Sequence, residues 1–351
     1  MLQNIFIQNY KSIASCQLDF GKINLLTGAN STGKSSVIQS LLLFADNVKS
    51  EQTVTPLISK HFNTYAFTEV SNYIQNAKTY SVGTNVNGKN CELNFIPADD
   101  AKIKTNVAQK GFLSEDLYEL LTKELLYLPA IREGNLSITR INTNSMLNPL
   151  GIYGEYVIDF YYTHKYDILP IQTSLDIQIA KNLDGLVNYW LQKLTGYSME
   201  VTLSGSEYHL QYISNGRRIA SYHVGTGVSY ITTVLIVCLA SLQNGLVIIE
   251  NPEIHLHPSA QADLLDFFAE IANAGAQIII ESHSDHFFNG IRRLLHHRKI
   301  NIDDVRLYHF SKQSFGNSNV IRVELSQEGG IKKYIPGMFE QFDNDLDQIL
   351  S

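Results

Sequence analysis

Gly28-Ala29-Asn30-Ser31-Thr32-Gly33-Lys34-Ser35 has the spacing G-x-x-x-x-G-K-[ST], and its reading decides the fold. An apolar run, Ile23 to Leu26, precedes it and reads as a strand. Ser36 to Ala45 follows as a helix, with Val37, Ile38, Leu41, Leu42 and Phe44 apolar. Strand, glycine loop and helix together form the context in which this pattern cradles phosphate. Gly28 and Gly33 let the backbone curl, so that the N–H groups between them, from Asn30, Ser31 and Thr32, turn toward an anion. The helix N-terminus adds partial positive charge. In this arrangement Lys34 reaches the β- and γ-phosphates, Ser35 ligates Mg²⁺ and Ser36 bonds the α-phosphate. The expected ligands are ATP and Mg²⁺.

Such a loop needs an acid beside it. Leu246 to Ile249 is an apolar strand that ends in Glu250-Asn251-Pro252-Glu253. Glu250 fits the acid that holds Mg²⁺, alongside Ser35, and a second carboxylate normally orients the attacking water. That second place holds Asn251, whose amide can hold a water but cannot take its proton. Glu253 is the nearest replacement. His255 and His257, with His283 and His286 further on, have the character of zinc ligands. No cysteine cluster accompanies them, and the surrounding motif accounts for the segment better.

The rest of the chain extends this pattern. From Gly225 helices alternate with buried strands: a helix at 228–242, the strand 246–249, a helix at 259–273, a strand at 277–280 and a helix at 285–297. Continuous β-branched runs between helices mean parallel strands covered on both faces. Residues 154–196 read as mainly helical, with Ile177, Leu183, Leu186, Val187, Trp190, Leu191 and Leu194 at helical spacing. Short strands are expected near residues 124–128, 200–203, 208–213 and 218–222. Residues 50–112 read as loops and short strands, with a hairpin turn at Asn87-Gly88. Of the 351 residues 44% are hydrophobic and 17% charged, enough for a large core. The net charge of -7 gives no general attraction to nucleic acid or anionic lipid. Three scattered cysteines make neither a disulfide framework nor a CxxC site. The beginning of the chain lacks the pattern of a signal peptide and no apolar stretch is long enough to span a bilayer, so a cytoplasmic protein without membrane contact is expected.

Several segments go beyond a generic nucleotide loop. Ile249-Glu250-Asn251-Pro252-Glu253-Ile254-His255-Leu256-His257-Pro258 resembles the I-E-[EN]-P-E-x-H-L-H-P segment of ABC-related bacterial AAA ATPases. These are relatives of the overcoming-lysogenisation-defect nucleases and, more distantly, of the SMC and Rad50 ATPases. Glu281-Ser282-His283-Ser284-Asp285-His286 resembles their switch segment, and Val224-Gly225-Thr226-Gly227-Val228-Ser229 their signature. Tyr308-His309-Phe310 and Gly329-Gly330-Ile331 resemble the terminal domain of the DUF3696 subgroup, and Tyr127 to Arg132 sits where the family has Y-L-G-P-L-R.

The resemblance implies an α/β P-loop NTPase of ABC type, with a mixed central sheet flanked by helices and an inserted, mainly helical lobe. The ATPase core would comprise residues 1–45 and 220–311, with strands from 46–130 and 198–222. The lobe would be 131–197 and a small extension 312–351. His283 would sense the γ-phosphate, and Gly225, Gly227 and Ser229 would contact the ATP of a second subunit. Asn251 departs from the glutamate of the ABC pattern and implies weak hydrolysis. A homodimer or higher oligomer closing on nucleotide is the implied assembly. Its output would be a separately encoded effector in anti-phage defence, or nucleic acid if the chain is a repair-type ATPase.

Other features are bland by comparison. The insertion has no heptads, so a compact lobe is expected rather than a coiled coil, and no Toprim nuclease domain is expected. Asp343, Asp345 and Asp347 alternate as metal ligands do, although a solvated acidic tail explains them as well. Arg292-Arg293 and His296-His297-Arg298-Lys299 make a basic run that suits either phosphate contact or a solvated helix end.

Overall fold

The computed structural model describes residues 1–50, 54–62, 66–86, 89–100, 104–132, 138–142, 150–151, 154–171, 181–242, 245–339 and 348–349. The first part of the chain holds β1 (Asn4–Tyr10), β2 (Ile13–Asp19), β3 (Ile23–Gly28), α1 (Lys34–Asn47), β4 (Val54–Pro56) and α2 (Phe67–Val70). Then come β5 (Tyr80–Val86), β6 (Lys89–Pro97), β7 (Thr105–Gly111), α3 (Glu115–Thr122), β8 (Leu125–Leu128) and β9 (Ile138–Arg140). The middle contributes α4 (Val157–His164), α5 (Leu183–Thr195), β10 (Ser198–Ser204), β11 (Glu207–Ser214) and β12 (Arg217–Ala220). The last part runs α6 (Thr226–Ala240), β13 (Leu246–Glu250), α7 (Pro258–Asn273), β14 (Gln277–Glu281), α8 (Asp285–His296), β15 (Val305–Lys312) and β16 (Ser318–Arg322).

The central sheet has the order β16-β15-β3-β14-β13-β8. Its pairings are parallel from β15 through β8, and only β16 is antiparallel. Period-two side-chain alternation feeds two separate cores. Ile23, Leu25, Val247, Ile249, Ile278 and Ile280 face one, together with α5, α6, α7 and α8. Leu26, Leu246, Ile248 and Ile279 face the other, with α1 and the second sheet. That second sheet is antiparallel, in the order β2-β1-β5-β6-β7-β4. Helix α6 is buried without a break from Ile231 to Leu239, as its apolar character on all sides requires. A third sheet, β10-β11-β12 with β9 on β11, lies against α4 and α5.

The α/β architecture with a mixed central sheet is the one expected from the sequence. The expected helices and strands from Gly225 onward lie within two residues of the observed ones, because each is a long apolar run with polar ends. Three features differ in detail. β9 adds a strand to the lobe expected at 131–197. β16 lies within the span expected as a terminal extension, yet it completes the central sheet by pairing with β15. α3 had no expectation. β5 and β6 pair as far as Val86 and Lys89, while the expected turn residues Asn87-Gly88 lie outside the described residues, as do Ile177, Asp343, Asp345 and Asp347. Among the described residues no helix is long and apolar enough to cross a membrane.

Phe267 of α7 is fully buried and packs edge-on against Trp190 at 5.2 Å between ring centroids. Phe267→Ala is expected to cost about 3–5 kcal/mol, read as a lower urea midpoint with an unchanged slope.

Candidate functional site

Parallel register brings the site together. Leu26 of β3 stands opposite Glu281 of β14, and Glu281 stands opposite Glu250 of β13. The carboxyl ends of three strands therefore open on one edge, where α/β sheets place their ligands. β3 runs there into the glycine loop. Gly28 has φ 138° and Gly33 φ 109°, both in the region that favours glycine. A Cβ at Gly33 would also overlap the hydroxyl of Ser318, which shares a 2.7 Å hydrogen bond with Ser12. The loop is thus clamped between the β1–β2 turn and β16. No side chain caps α1 and its first turn has no acid, so no carboxylate competes with an anion for the N–H groups there.

Lys34 donates to the carbonyls of Gly28 (3.0 Å) and Ala29 (2.8 Å), and its ammonium lies 3.9 Å from Glu281. Burial lowers its pKa against the opposing pull of Glu281. The Ser35 hydroxyl donates to Glu281 Oε1 at 2.9 Å. Asn30 to Ser36, Glu250, Asn251, Glu281 and His283 all line one cavity of about 830 Å³. Lys11, Ser12, Gln39 and the largely exposed Tyr73 line it too. Its size is in the range of small-molecule sites.

Three carboxylates crowd the strand ends. Glu250 accepts from the Tyr127 hydroxyl at 3.0 Å and the Ala130 N–H at 3.2 Å. Glu253 accepts from the Ser282 hydroxyl at 2.7 Å and the His283 N–H at 3.1 Å, which ties the switch segment to the acidic turn. Burial raises the pKa of both. Burial and the neighbouring Glu250 push Glu281 up to about 7. Asn251 holds the turn at φ 45°, and its N–H donates to the Glu281 carbonyl at 2.7 Å. His283 lies beside the loop, where burial and Lys34 lower its pKa.

Arg132 is the residue that sequence reading left without a role. Its side chain is buried and donates to the carbonyls of Glu250 (2.8 Å) and Asn251 (2.6 Å) while its guanidinium faces the Tyr230 ring. Burial lowers its pKa to about 10 against the pull of Glu253, Tyr230 and Glu250. Glu281 was missed as well, although it ends an apolar strand just as Glu250 does.

The signature residues sit elsewhere. Gly225, Gly227 and Ser229 do not line the cavity. Gly225 and Thr226 are exposed at the start of α6, whereas Ser229, one turn into the helix, is 1% exposed and packed inside the fold. A Cβ on Gly227 would come within 2.5 Å of the His255 carbonyl, so α6 abuts the turn after β13. His257 caps α7 by accepting from the Ser259 N–H. Among the described residues no group of three or more His, Cys, Asp or Glu side chains could hold a metal ion. Part of the basic run has partners within the chain: Arg293 and Lys299 both pair with Asp266, and Arg292 donates to the Gly329 carbonyl, while residues 296–299 are exposed.

The cavity's chemistry fits Mg²⁺. Glu281 Oε2 and Asn251 Oδ1 are buried and have no hydrogen-bond partner among the described residues, and both residues line the cavity. With Ser35 they make an all-oxygen donor set, the kind a hard cation takes with one or two carboxylates and substrate phosphates.

The chain matches the family model described as AAA ATPase domain over residues 1–129 and 164–288. Solved structures with a similar fold include an SMC head bound to the C-winged helix domain of ScpA, at TM-score 0.59 and 11% identity over 93% of this chain and 98% of that one. Another is the SMC head domain from Thermotoga maritima, at TM-score 0.50 and 10% identity over 92% and 99%. A third is an Smc head with an extended coiled coil, bound to the C-terminal domain of ScpA derived from Pyrococcus furiosus, at TM-score 0.57 and 10% identity over 100% and 99%. Comparison with curated proteins gives no match.

The raised pKa of Glu281 has a consequence for stability. Its ionisation is disfavoured in the folded state, so its contribution is fully present below about pH 4.5 and is lost as pH rises toward about 7. In EDTA without nucleotide, Glu281→Gln is expected to be more stable than wild type by roughly 3 kcal/mol at pH 8, with the difference shrinking toward pH 5, by urea denaturation.

Proposed function

The chain belongs to the AAA ATPase domain family, and we propose that it works as an ATP-gated dimeric switch that hydrolyses slowly. One observation carries this reading. The cavity holding the phosphate loop and the strand-end acids lacks Gly225 and Gly227, and Gly225 is exposed at the start of α6. A site divided in this way is completed when the exposed start of α6 from a second copy meets the γ-phosphate. ATP then acts as a shared ligand between two chains, and its hydrolysis removes the contact.

Within the site, the loop N–H groups and Lys34 bind the phosphates, and Ser36 bonds the α-phosphate. Ser35 and a strand-end carboxylate hold Mg²⁺, which when bound neutralises charge on the β- and γ-phosphates. His283, beside Gly28 and Lys34, senses the γ-phosphate. The water-orienting role falls to Asn251 or Glu253. Asn251 accepts no proton, and one oxygen of Glu253 is engaged with Ser282 and His283. Both facts support slow turnover.

The output belongs to a second protein. An SMC head of similar fold is bound to a winged helix domain of ScpA, which supports a partner that reads the nucleotide state. The resemblance to anti-phage ATPases supports an effector such as a nuclease. Direct action on nucleic acid has less support, because Arg293 and Lys299 of the basic run are already engaged with Asp266.

Sedimentation velocity tests the switch. Mg²⁺-ATP is expected to convert monomer to dimer. Lys34→Ala should weaken ATP binding by about 100-fold and abolish the shift, on the order of 3 kcal/mol for a buried charge at phosphate. Gly225→Arg should bind ATP yet stay monomeric, and a dimer formed equally by that variant would refute the split site. For turnover, Asn251→Ala and Glu253→Gln are compared in steady-state phosphate release. At least one should lose about ten-fold, and two unchanged rates would remove both residues from the water-orienting role.

A further inference from the structure

We propose that Tyr73, in the turn between α2 and β5, is the platform on which the base of the bound nucleotide stacks. The inference rests on reading the cavity as an ATP site and assigns the end of that site opposite the γ-phosphate.

The sheet gives the cavity a direction. β14 and β13 lie on one side of β3, and β15 and β16 on the other. Glu250, Glu281 and His283 line the cavity on the first side. Ser12, Ser71 and Tyr73 line it on the second. Ser12 shares its hydrogen bond with Ser318 of β16, and Asn72, next to Tyr73, donates to the side chain of Asn317, just ahead of β16, at 3.2 Å. A triphosphate lying along the loop with its γ end at the acids and His283 turns its nucleoside toward Tyr73.

Among the described residues Tyr73 is the only Phe, Tyr or Trp on the cavity wall. Its neighbours at this end, Lys11, Gln39, Glu69 and Ser71, are polar and offer no flat face to a base. Tyr73 is 78% exposed, whereas Asn72 beside it is fully buried. The buried asparagine anchors the turn. Its N–H donates to the Asn9 carbonyl at 2.8 Å, its carbonyl accepts from the Ala77 N–H at 3.0 Å, and its side-chain oxygen accepts from the Gln75 N–H at 2.9 Å. The ring is therefore carried on fixed main chain, so covering it costs little ordering. A purine laid on its face buries apolar surface and leaves the phenol hydroxyl at the edge in water.

Isothermal titration calorimetry of the full chain with Mg²⁺ tests this by comparing ATP with inorganic tripolyphosphate, which has the phosphate chain and no base. Circular dichroism checks that each variant folds, as substitution of so exposed a side chain should allow. Tyr73→Ala is expected to weaken ATP binding by about ten-fold and tripolyphosphate binding by less than about two-fold. Tyr73→Phe and Tyr73→Trp keep a ring and should bind ATP within about three-fold of wild type. In Tyr73→Trp, ATP but not tripolyphosphate should quench the introduced indole, with the fully buried Trp190 as a constant background. Unchanged ATP affinity in Tyr73→Ala, an equal loss for both ligands, or an indole that ATP leaves unquenched overturns the base platform. Failure of the wild type to bind ATP at all overturns the ATP-site reading itself.

Discussion

The in-register parallel pairing of β3, β14 and β13 is the constraint on which the site depends. It sets Leu26, Glu281 and Glu250 side by side and gives the glycine loop, the switch segment and the acidic turn a common edge. The register is fixed by packing. Residues that alternate along these strands belong to two different cores, so a slip of one residue would exchange every side chain between them. Hydrophobic burial far from the chemistry therefore holds the acids and the loop in place. The site inherits the precision of a close-packed interior, where small displacements are resisted.

Beyond the strand ends, a chain of contacts joins the parts of the site. Glu253 holds Ser282 and the His283 N–H, Arg132 holds the carbonyls of Glu250 and Asn251, and the Arg132 guanidinium faces Tyr230 of α6. Tyr230 in turn packs edge-on against His255, whose carbonyl abuts Gly227. The His283 side of the cavity and the exposed start of α6 are thus linked through one buried guanidinium and one turn. Such contiguity gives a change on one side a route to the other. The Glu253 and Arg132 links are hydrogen bonds of 2.6–3.1 Å, which tie the switch segment and the acidic turn together.

Much of this was legible in the sequence, and the reasons differ by element. The phosphate loop carries its own spacing, and β13, α7, β14 and α8 are uninterrupted apolar or amphipathic runs with polar ends. Pairings between distant segments leave no local signal. β15 and β16 therefore could not be placed beside β3, and the antiparallel sheet joining β1 to β5 could only be read as short strands. Ser229 shows the limit of motif reading: the pattern names the residue, but only the packing of α6 shows that its side chain points inward. Arg132 was visible only as a residue at a strand end, because its partners are main-chain carbonyls, which no side-chain pattern encodes. Glu281 is a different case. Its signal, an acid closing a buried strand, is the same as that of Glu250.

The departure at this edge, an amide at 251, suits the electrostatics around it. Glu250, Glu253 and Glu281 already set three buried or partly buried carboxylates at the strand ends. Lys34 and Arg132 are the cations whose influence reaches them. A fourth carboxylate at 251 would sit in the turn whose N–H bonds the Glu281 carbonyl. There it would add repulsion in a region already poor in solvent, where charge is least screened. Asparagine keeps the oxygen and the left-handed turn without the charge, since Asn tolerates φ near 45° better than most residues.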